Sequence, residues 1–412
     1  MFKTISMIGL GYIGLPTATL FASRKLQVIG VDVSAHVVNT INQGHIHIVE
    51  PELDVMVHAA VTEGHLRATL TPEPADAFLI AVPTPFKGEH EPDLRYVQAA
   101  AESIGSVLAP GNLVVLESTS PVGTTDQMCR WLAQKRPDLS FPHQAGESAD
   151  IQIAYCPERV LPGKVVHELV SNDRIIGGMT RRASVRAVEL YRHFVKGECL
   201  VTDARTAEMC KLTENSFRDV NIAFANELSV ICDQLGISVW ELIRLANHHP
   251  RVNILQPGPG VGGHCIAVDP WFIVHSAPKA SRLIHTARQV NDQKPEWVMD
   301  QLQKWLDSRP TASPARVAIL GLAFKPDIDD LRESPAMHIA EALLARGHDL
   351  LLVEPHVQAT PPSLAPLPLV SAEEAIAQAD VVLLLVAHRA FSELLPALRD
   401  HAMVIDTVGI TH

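Results

Sequence analysis

The opening of the chain restricts its fold more than any other segment. Thr4–Ile8 is a short apolar run, Gly9-Leu-Gly11-Tyr12-Ile13-Gly14 follows at once, and a helical pattern begins at Leu15. Glycines in this G-x-G-x-x-G spacing permit a tight strand-to-helix turn, close backbone approach at its middle, and helix–strand packing. A strand that feeds a helix in this way starts a βαβ unit, so the expected sheet is parallel and covered on both faces. The apolar runs Gln27–Val31, Ala77–Val82, Leu113–Glu117 and Ile151–Tyr155 supply further strands. Asp32 closes the second run, 18 residues after Gly14. A carboxylate there accepts hydrogen bonds from ribose hydroxyls and repels a 2′-phosphate, so NAD is expected in preference to NADP. A glycine turn used only for packing is the alternative. Thr84, in Ala81-Val-Pro-Thr84-Pro, and Thr119 and Thr125, in Glu117-Ser-Thr119-Ser-Pro-Val-Gly-Thr-Thr125, follow two more strands. Their hydroxyls face the nicotinamide side or belong to ordinary turns.

The chain has 412 residues, enough for two to three domains. Residues 1–203 alternate strand and helix patterns. Residues 204–307 are helical, and Thr206–Leu235 holds neither Pro nor Gly while Met209, Leu212, Val220, Phe224, Leu228 and Ile231 recur at helical spacing. Gly236 ends that helix, Ser238-Val-Trp-Glu241 is a capping box for the next, and Pro250 stops it. A Pro-rich linker, 308–314, leads to a second α/β pattern over 308–412 with strands Arg316–Leu320, Leu350–Glu354, Val381–Val386 and Val404–Thr407. The expected architecture is α/β: two doubly wound, Rossmann-like parallel sheets joined by a long-helix central domain. Gly321-Leu-Ala-Phe-Lys325 stands where the second sheet's glycine turn would be, so that sheet should hold something other than a dinucleotide. Pro361–Pro368 reads as a surface loop.

Composition excludes several classes. A net charge of −12 without a basic run argues against nucleic acid. No apolar run approaches a membrane span, and the N-terminus leads straight into a strand without a signal peptide, so a cytoplasmic protein is expected. Six cysteines lie scattered without C-x-x-C, and the histidines lack ligand spacing, so neither a disulfide framework nor a metal is expected.

Gly260-Val-Gly262-Gly-His-Cys265-Ile-Ala-Val-Asp269 keeps bulk away from one cysteine and sets a carboxylate four residues on. A thiolate becomes a strong nucleophile when its neighbours lower its pKa. The same loop is compatible with a buried cysteine in a turn. Lys211, Asn215 and Arg218 share one helix face, suited to oxyanion charge or to a phosphate, or else forming a solvated stripe. Cys156-Pro-Glu158-Arg159-Val160 and Phe324-Lys325-Pro-Asp-Ile-Asp-Asp-Leu-Arg332 each follow a strand, at the edge where open α/β sheets bind ligands.

With these residues assembled, the chain resembles the nucleotide-sugar 6-dehydrogenases, the UDP-glucose/GDP-mannose dehydrogenase family, over essentially its whole length. Ile46-His-Ile-Val-Glu-Pro51, Cys210–Asn221 and His249–Cys265 carry the resemblance most specifically. It implies a UDP-sugar substrate, N-acetyl-D-mannosamine being the first expectation and N-acetylglucosamine or glucose the alternatives. It also implies NAD-dependent four-electron oxidation at C6 for a bacterial surface polysaccharide such as enterobacterial common antigen. By resemblance, Cys265 is the nucleophile and Lys211 its acid/base partner, partly buried so as to be neutral at times, with Asn215 beside it. Water falls to Thr119, Glu158 or Asp269. Cofactor contacts fall on Gly9, Gly11, Tyr12, Ile13, Gly14, Asp32, Thr84, Thr125 and Arg332. Substrate contacts fall on Arg159, Val160, Lys211, Asn215, Arg218, His249, Arg251, Gly262, Phe324 and Lys325. Arg251 would reach a neighbouring subunit's site, implying a homodimer or a dimer of dimers. The family often ends its last strand Asp-Thr-Lys-Gly; here Val408 replaces that lysine. An inactive nucleotide-sugar-binding homologue and a one-step hydroxyacid dehydrogenase are the readings from other classes.

Overall fold

The computed structural model describes residues 2–88, 90–160, 163–309 and 314–412. Most of the expected 308–314 linker lies outside the described residues. The chain divides into two compact units, Met1–Glu214 and Asn215–His412.

The first unit is built on eight strands: β1 (Thr4–Ile8), β2 (Gln27–Val31), β3 (Leu66–Thr69), β4 (Ala77–Ile80), β7 (Leu113–Leu116), β8 (Gln152–Tyr155), β9 (Arg174–Gly178) and β10 (Cys199–Asp203), with a small hairpin, β5 (Phe86–Lys87) and β6 (Glu91–Pro92), beside them. Their order is β10-β9-β8-β7-β4-β1-β2-β3. Successive side chains on a strand point to opposite faces. Accordingly Ile5, Met7, Ala77, Leu79, Leu113 and Val115 enter one apolar cluster, while Ile8, Phe78, Ile80, Val114 and Leu116 enter another. Both faces are covered, which is why the strands read as unbroken apolar runs.

One departure matters for the site. The sheet is parallel except at β8–β9, where Ala154 opposes Gly178 and Tyr155 opposes Gly177 in antiparallel register. The last two strands therefore run against the rest. Strand direction has no local signal in short apolar segments, and β3, β9 and β10 carry polar residues that mask their pattern.

The long helix spans Ala204–Leu235, and Gly236 closes it with a φ of +66°. Ser238 then accepts a hydrogen bond from the Glu241 amide at 3.3 Å, starting the helix Val239–Ala246, which ends before Pro250 is reached. The helix Arg282–Asp307 continues through Pro295.

The second unit holds a four-stranded parallel sheet, β12-β11-β13-β14, from β11 (Arg316–Leu320), β12 (Asp349–Val353), β13 (Val381–Leu384) and β14 (Val404–Asp406). The same alternation divides Val317, Ile319, Val381 and Leu383 from Ala318, Leu320, Val382 and Leu384. The 361–368 segment is less exposed than its prolines suggest, since Leu364 is buried in the first of these clusters. No helix among the described residues is long and apolar enough to cross a membrane.

Candidate active site

In the first unit the glycines of the opening turn divide their labour. Gly9 has φ +92°, and a Cβ there would stand 2.4 Å from the Ala81 carbonyl oxygen. A Cβ at Gly14 would stand 1.8 Å from the Gly9 oxygen, whereas one at Gly11 would meet nothing within 4 Å. The outer two glycines serve the turn itself, and the middle one leaves room for a ligand. The helix behind it, Gly14–Ser23, has no acidic residue in its first turn, so its amino end suits an anion. Asp32 fixes the turn: its carboxylate accepts from the Leu10 amide at 3.1 Å and the Ser34 amide at 2.9 Å. Tyr12 is exposed and Ile13 half-buried beside Gly11. This set fits the pyrophosphate and ribose of NAD.

Thr84 donates to the Thr119 carbonyl at 2.5 Å, joining the loops after β4 and β7. Thr125 is fully buried, and its hydroxyl and amide both donate to Glu208 at 2.6 and 2.7 Å. The Gly123 amide donates to the other Glu208 oxygen at 2.6 Å. Glu208, a carboxylate from the long helix, thus caps the helix Thr124–Lys135 and holds the Thr125 hydroxyl.

Beyond β8, Cys156 is buried, which holds its thiol well above the usual range and removes it as a nucleophile. Arg159 pairs with Glu214 on the long helix at 2.7 Å, and Val160 and Lys211 are half-buried. Glu158 is buried and pairs with Arg174 at 2.5 Å. Arg174, Glu117 and Tyr191 carry no motif, and the sequence reading passed over them as site residues. Burial, then the charge of Glu158, pushes Glu117 up to about 8.

In the second unit Cys265 is half-buried, and its carbonyl accepts from the amides of Val268 at 3.0 Å and Asp269 at 2.8 Å. Asp269 is 3% exposed, begins the helix Asp269–Ser276, and accepts a hydrogen bond from the Asn215 amide group. The loop's glycines are required by what they touch. A Cβ at Gly262 would lie 2.5 Å from the Glu333 oxygen and 2.7 Å from Phe324 Cβ; one at Gly263, where φ is +81°, would lie 2.8 Å from the Phe324 ring. The Gly263 amide also donates to the Arg332 carbonyl at 3.2 Å. The cysteine loop and the Phe324–Arg332 segment, which the sequence could only propose separately, are therefore packed together. Lys325 and Arg332 are exposed, the latter forked onto Asp330 at 2.9 and 2.6 Å. His249, Arg251 and Arg218 lie exposed, Arg251 donating its amide to His249 at 3.3 Å.

A buried network anchors the loop. The Gly258 amide donates to Asn226 at 2.9 Å, Asn226 to Asn291 at 2.9 Å, and Asn291 to Asp219 at 2.8 Å, with Arg288 on Asp219 at 2.6 Å. Burial pushes Asp219 upward despite Arg288. At the last strand, Asp406 accepts from the Val408 and Gly409 amides at 2.9 and 2.7 Å, and Val408 packs into the apolar cluster beneath β13.

Among the described residues Asp327, His356 and His388 bring potential ligand atoms within 4.8 Å of one another. His388 is already engaged at both nitrogens, accepting from the Asp327 amide at 3.0 Å and facing Glu354 at 3.1 Å. This is a closed hydrogen-bond network.

A doubly wound sheet with an open glycine turn, joined in sequence to a glycine-run cysteine followed by a buried aspartate, defines an NAD-dependent dehydrogenase. Three family models cover the chain: the UDP-glucose/GDP-mannose dehydrogenase family NAD-binding domain over residues 3–195, its central domain over 205–293, and its UDP-binding domain over 318–412. The chain belongs to that family. It is 64% identical to UDP-N-acetyl-D-mannosamine dehydrogenase of Yersinia pestis, across 99% of each chain. It is 62% identical to NDP-N-acetyl-D-galactosaminuronic acid dehydrogenase of Ralstonia solanacearum, across 99% of this chain and 96% of the other. Among solved structures it resembles UDP-D-ManNAc dehydrogenase from Pyrococcus horikoshii, with a TM-score of 0.89, 39% identity, and coverage of 99% of this chain and 96% of that one.

Proposed function

We propose that this chain oxidises C6 of UDP-N-acetyl-D-mannosamine to the uronate, supplying a bacterial surface polysaccharide such as enterobacterial common antigen. The observation that carries the proposal is Cys265 on its glycine run, leading by a helix-starting turn to the buried Asp269, in a chain this similar to UDP-N-acetyl-D-mannosamine dehydrogenase. NAD, when bound at the Gly9–Gly14 turn, accepts the hydride lost from C6 in each oxidation. In the first oxidation the 6-hydroxyl gives its proton to a base and C6 becomes an aldehyde. The Cys265 thiolate adds to that carbon, and Lys211 and Asn215 hold the resulting oxyanion of the thiohemiacetal. Loss of the second hydride leaves a thioester. Water placed by Thr119, Glu158 or Asp269 attacks it, releasing the carboxylate and the Cys265 thiol. Covalent capture keeps the reactive aldehyde from escaping between steps.

Gly9, Gly11, Tyr12, Ile13, Gly14, Asp32, Thr84, Thr125 and Arg332 serve the cofactor in this reading. Arg159, Val160, Arg218, His249, Arg251, Gly262, Phe324 and Lys325 join Lys211 and Asn215 on the substrate. Residues 1–203, 204–307 and 308–412 form the NAD-binding, central and UDP-binding domains. The assembly is a homodimer or a dimer of dimers in the cytoplasm. Phe217, Phe224 and Ile231 support it: they recur every seven residues on the long helix and are 71, 53 and 41% exposed.

Purified protein with NAD and each of UDP-N-acetylmannosamine, UDP-N-acetylglucosamine, UDP-N-acetylgalactosamine and UDP-glucose tests this. Two NADH per sugar and the highest kcat/KM for N-acetylmannosamine are expected. One NADH per sugar sinks the covalent route. A preference for N-acetylgalactosamine favours a second reading, which the similarity to NDP-N-acetyl-D-galactosaminuronic acid dehydrogenase supports.

A further inference from the structure

The antiparallel register of β8 and β9, continued past the end of β8, sets Arg174 level with Glu158. The Arg174 guanidinium reaches Glu158 at 2.5 Å with Nη2 and Glu117 at 3.5 Å with Nη1. It lies 4.2 Å over the Tyr191 ring, and the Tyr191 hydroxyl donates to the same Glu117 oxygen at 2.5 Å. The side chains of Arg174, Glu117 and Glu158 are 5, 0 and 8% exposed.

One cation thus faces two carboxyl groups out of water. Two buried carboxylates on one guanidinium leave an uncompensated charge, and proteins avoid this by retaining a proton. Glu117 is the group placed to retain it. It is the more deeply buried, and among the described residues its Oε2 has no hydrogen-bond partner, whereas Glu158 Oε1 lies 2.5 Å from the guanidinium. Its rise to about 8 agrees with that assignment. Around it stand Cys156 beyond β8, Glu158, Arg174 on β9 and Tyr191 on the helix Arg181–Tyr191, with Asp173 and Cys199 beyond Arg174.

We propose that Arg174 is a positioning residue for Glu158, aiming its carboxylate at the small cleft lined by Pro157, Arg159, Val160 and Asn172, and that a protonated Glu117 leaves the guanidinium to Glu158. The inference rests on the reading of Glu158 as a group that handles the attacking water.

The full-length enzyme tests it. In R174M, kcat falls about a hundredfold and KM for the UDP-sugar falls with it, so that kcat/KM stays within about threefold. The acyl adduct on Cys265 then accumulates in the intact-protein mass spectrum, because hydrolysis is the slowed step. R174K keeps the charge without the fork and recovers about a tenth of the rate. In E117Q, the infrared carbonyl band of a protonated carboxyl is lost at neutral pH, and the inflection of kcat near pH 8 disappears. A fall in kcat/KM without adduct, or a carboxyl band untouched by E117Q, overturns the inference. E158Q separates it from the reading beneath: near-normal turnover in E158Q sinks both, whereas a slow E158Q beside a normal R174M sinks the inference alone. Should R174M fail to fold, R174K and E117Q decide.

Discussion

The two sheets begin with the same turn and use it in opposite ways. Gly9 and Gly321 have φ of +92° and +93°, and their amides donate to the last residue of the neighbouring strand, Val31 or Val353, at 2.8 and 2.9 Å. Each turn is then tied to a carboxylate just past that strand: Leu10 to Asp32 at 3.1 Å, Leu322 and Ala323 to Glu354 at 2.8 and 2.9 Å. Beyond that the two diverge. Gly11 faces open space and Asp32 stays half-buried, whereas Leu322 and Ala323 are buried and Glu354 is closed in by His388. One turn is kept open for a dinucleotide; its twin is filled by its own chain and lends its outer loop to the cysteine. Ligand capacity therefore lies in the residues after the first glycine, not in the turn.

The comparison can be broken most severely at the sulfur. Cys265→Ser lowers the overall four-electron turnover by about three orders of magnitude while UDP-sugar binding, read by calorimetry, is retained; near-normal turnover sinks the covalent mechanism. Next comes the turn itself. Gly11→Val leaves the melting temperature unchanged, because a side chain there meets nothing, yet raises KM for NAD about a hundredfold by filling the ligand's room. Gly321→Ala, whose Cβ would stand 2.4 Å from Val386, instead costs about 2–4 kcal/mol of stability and leaves NAD affinity alone. A smaller effect separates the carboxylates. Asp32→Asn weakens NAD by about tenfold, as expected when a charged acceptor of ribose hydroxyls becomes neutral. Glu354→Gln destabilises the fold with KM for NAD unchanged.

The smallest effect is a difference in sign with pH. Glu117 is raised to about 8 chiefly by burial, so its native proton favours the fold below the ordinary value of 4.5, and that contribution is lost as pH climbs to about 8. Burial also opposes the charge of Glu354, but hydrogen bonds from His388 and the Leu322 and His356 amides outweigh it and hold this carboxyl below 4.5. Its contribution is present above that value and is lost as pH falls. Thermal melts of E117Q should flatten the alkaline side of the stability profile, and those of E354Q the acid side. The reverse assignment overturns both.

Much of this was legible in the residues. Apolar runs gave nine strands to within a few positions, and the absence of Pro and Gly gave the long helix, Ala204–Leu235. The opening glycines and Asp32 gave the turn after β1, because its geometry is local. What escaped depends on tertiary partners. The reversal at β9 has no local signature, so Arg174 could not be set beside Glu158 by reading along the chain. The Thr125 hydroxyl is held by Glu208, one helix away, a partner that reading along the chain does not reveal. The Asp219–Arg288–Asn291 anchor under the cysteine loop joins residues about seventy positions apart. Pro295, nominally a breaker, sits inside a helix that packing sustains.

Gly262 and Gly263 lie so close to Phe324 and Glu333 that even a methyl group has no place there. On the mechanism proposed above, loss of the Cys265 sulfur in one step would leave a silent binder of nucleotide-sugars. The chain cannot thicken the strip of backbone beneath that sulfur without unseating two segments at once, so the glycines should outlast the chemistry they were selected to support.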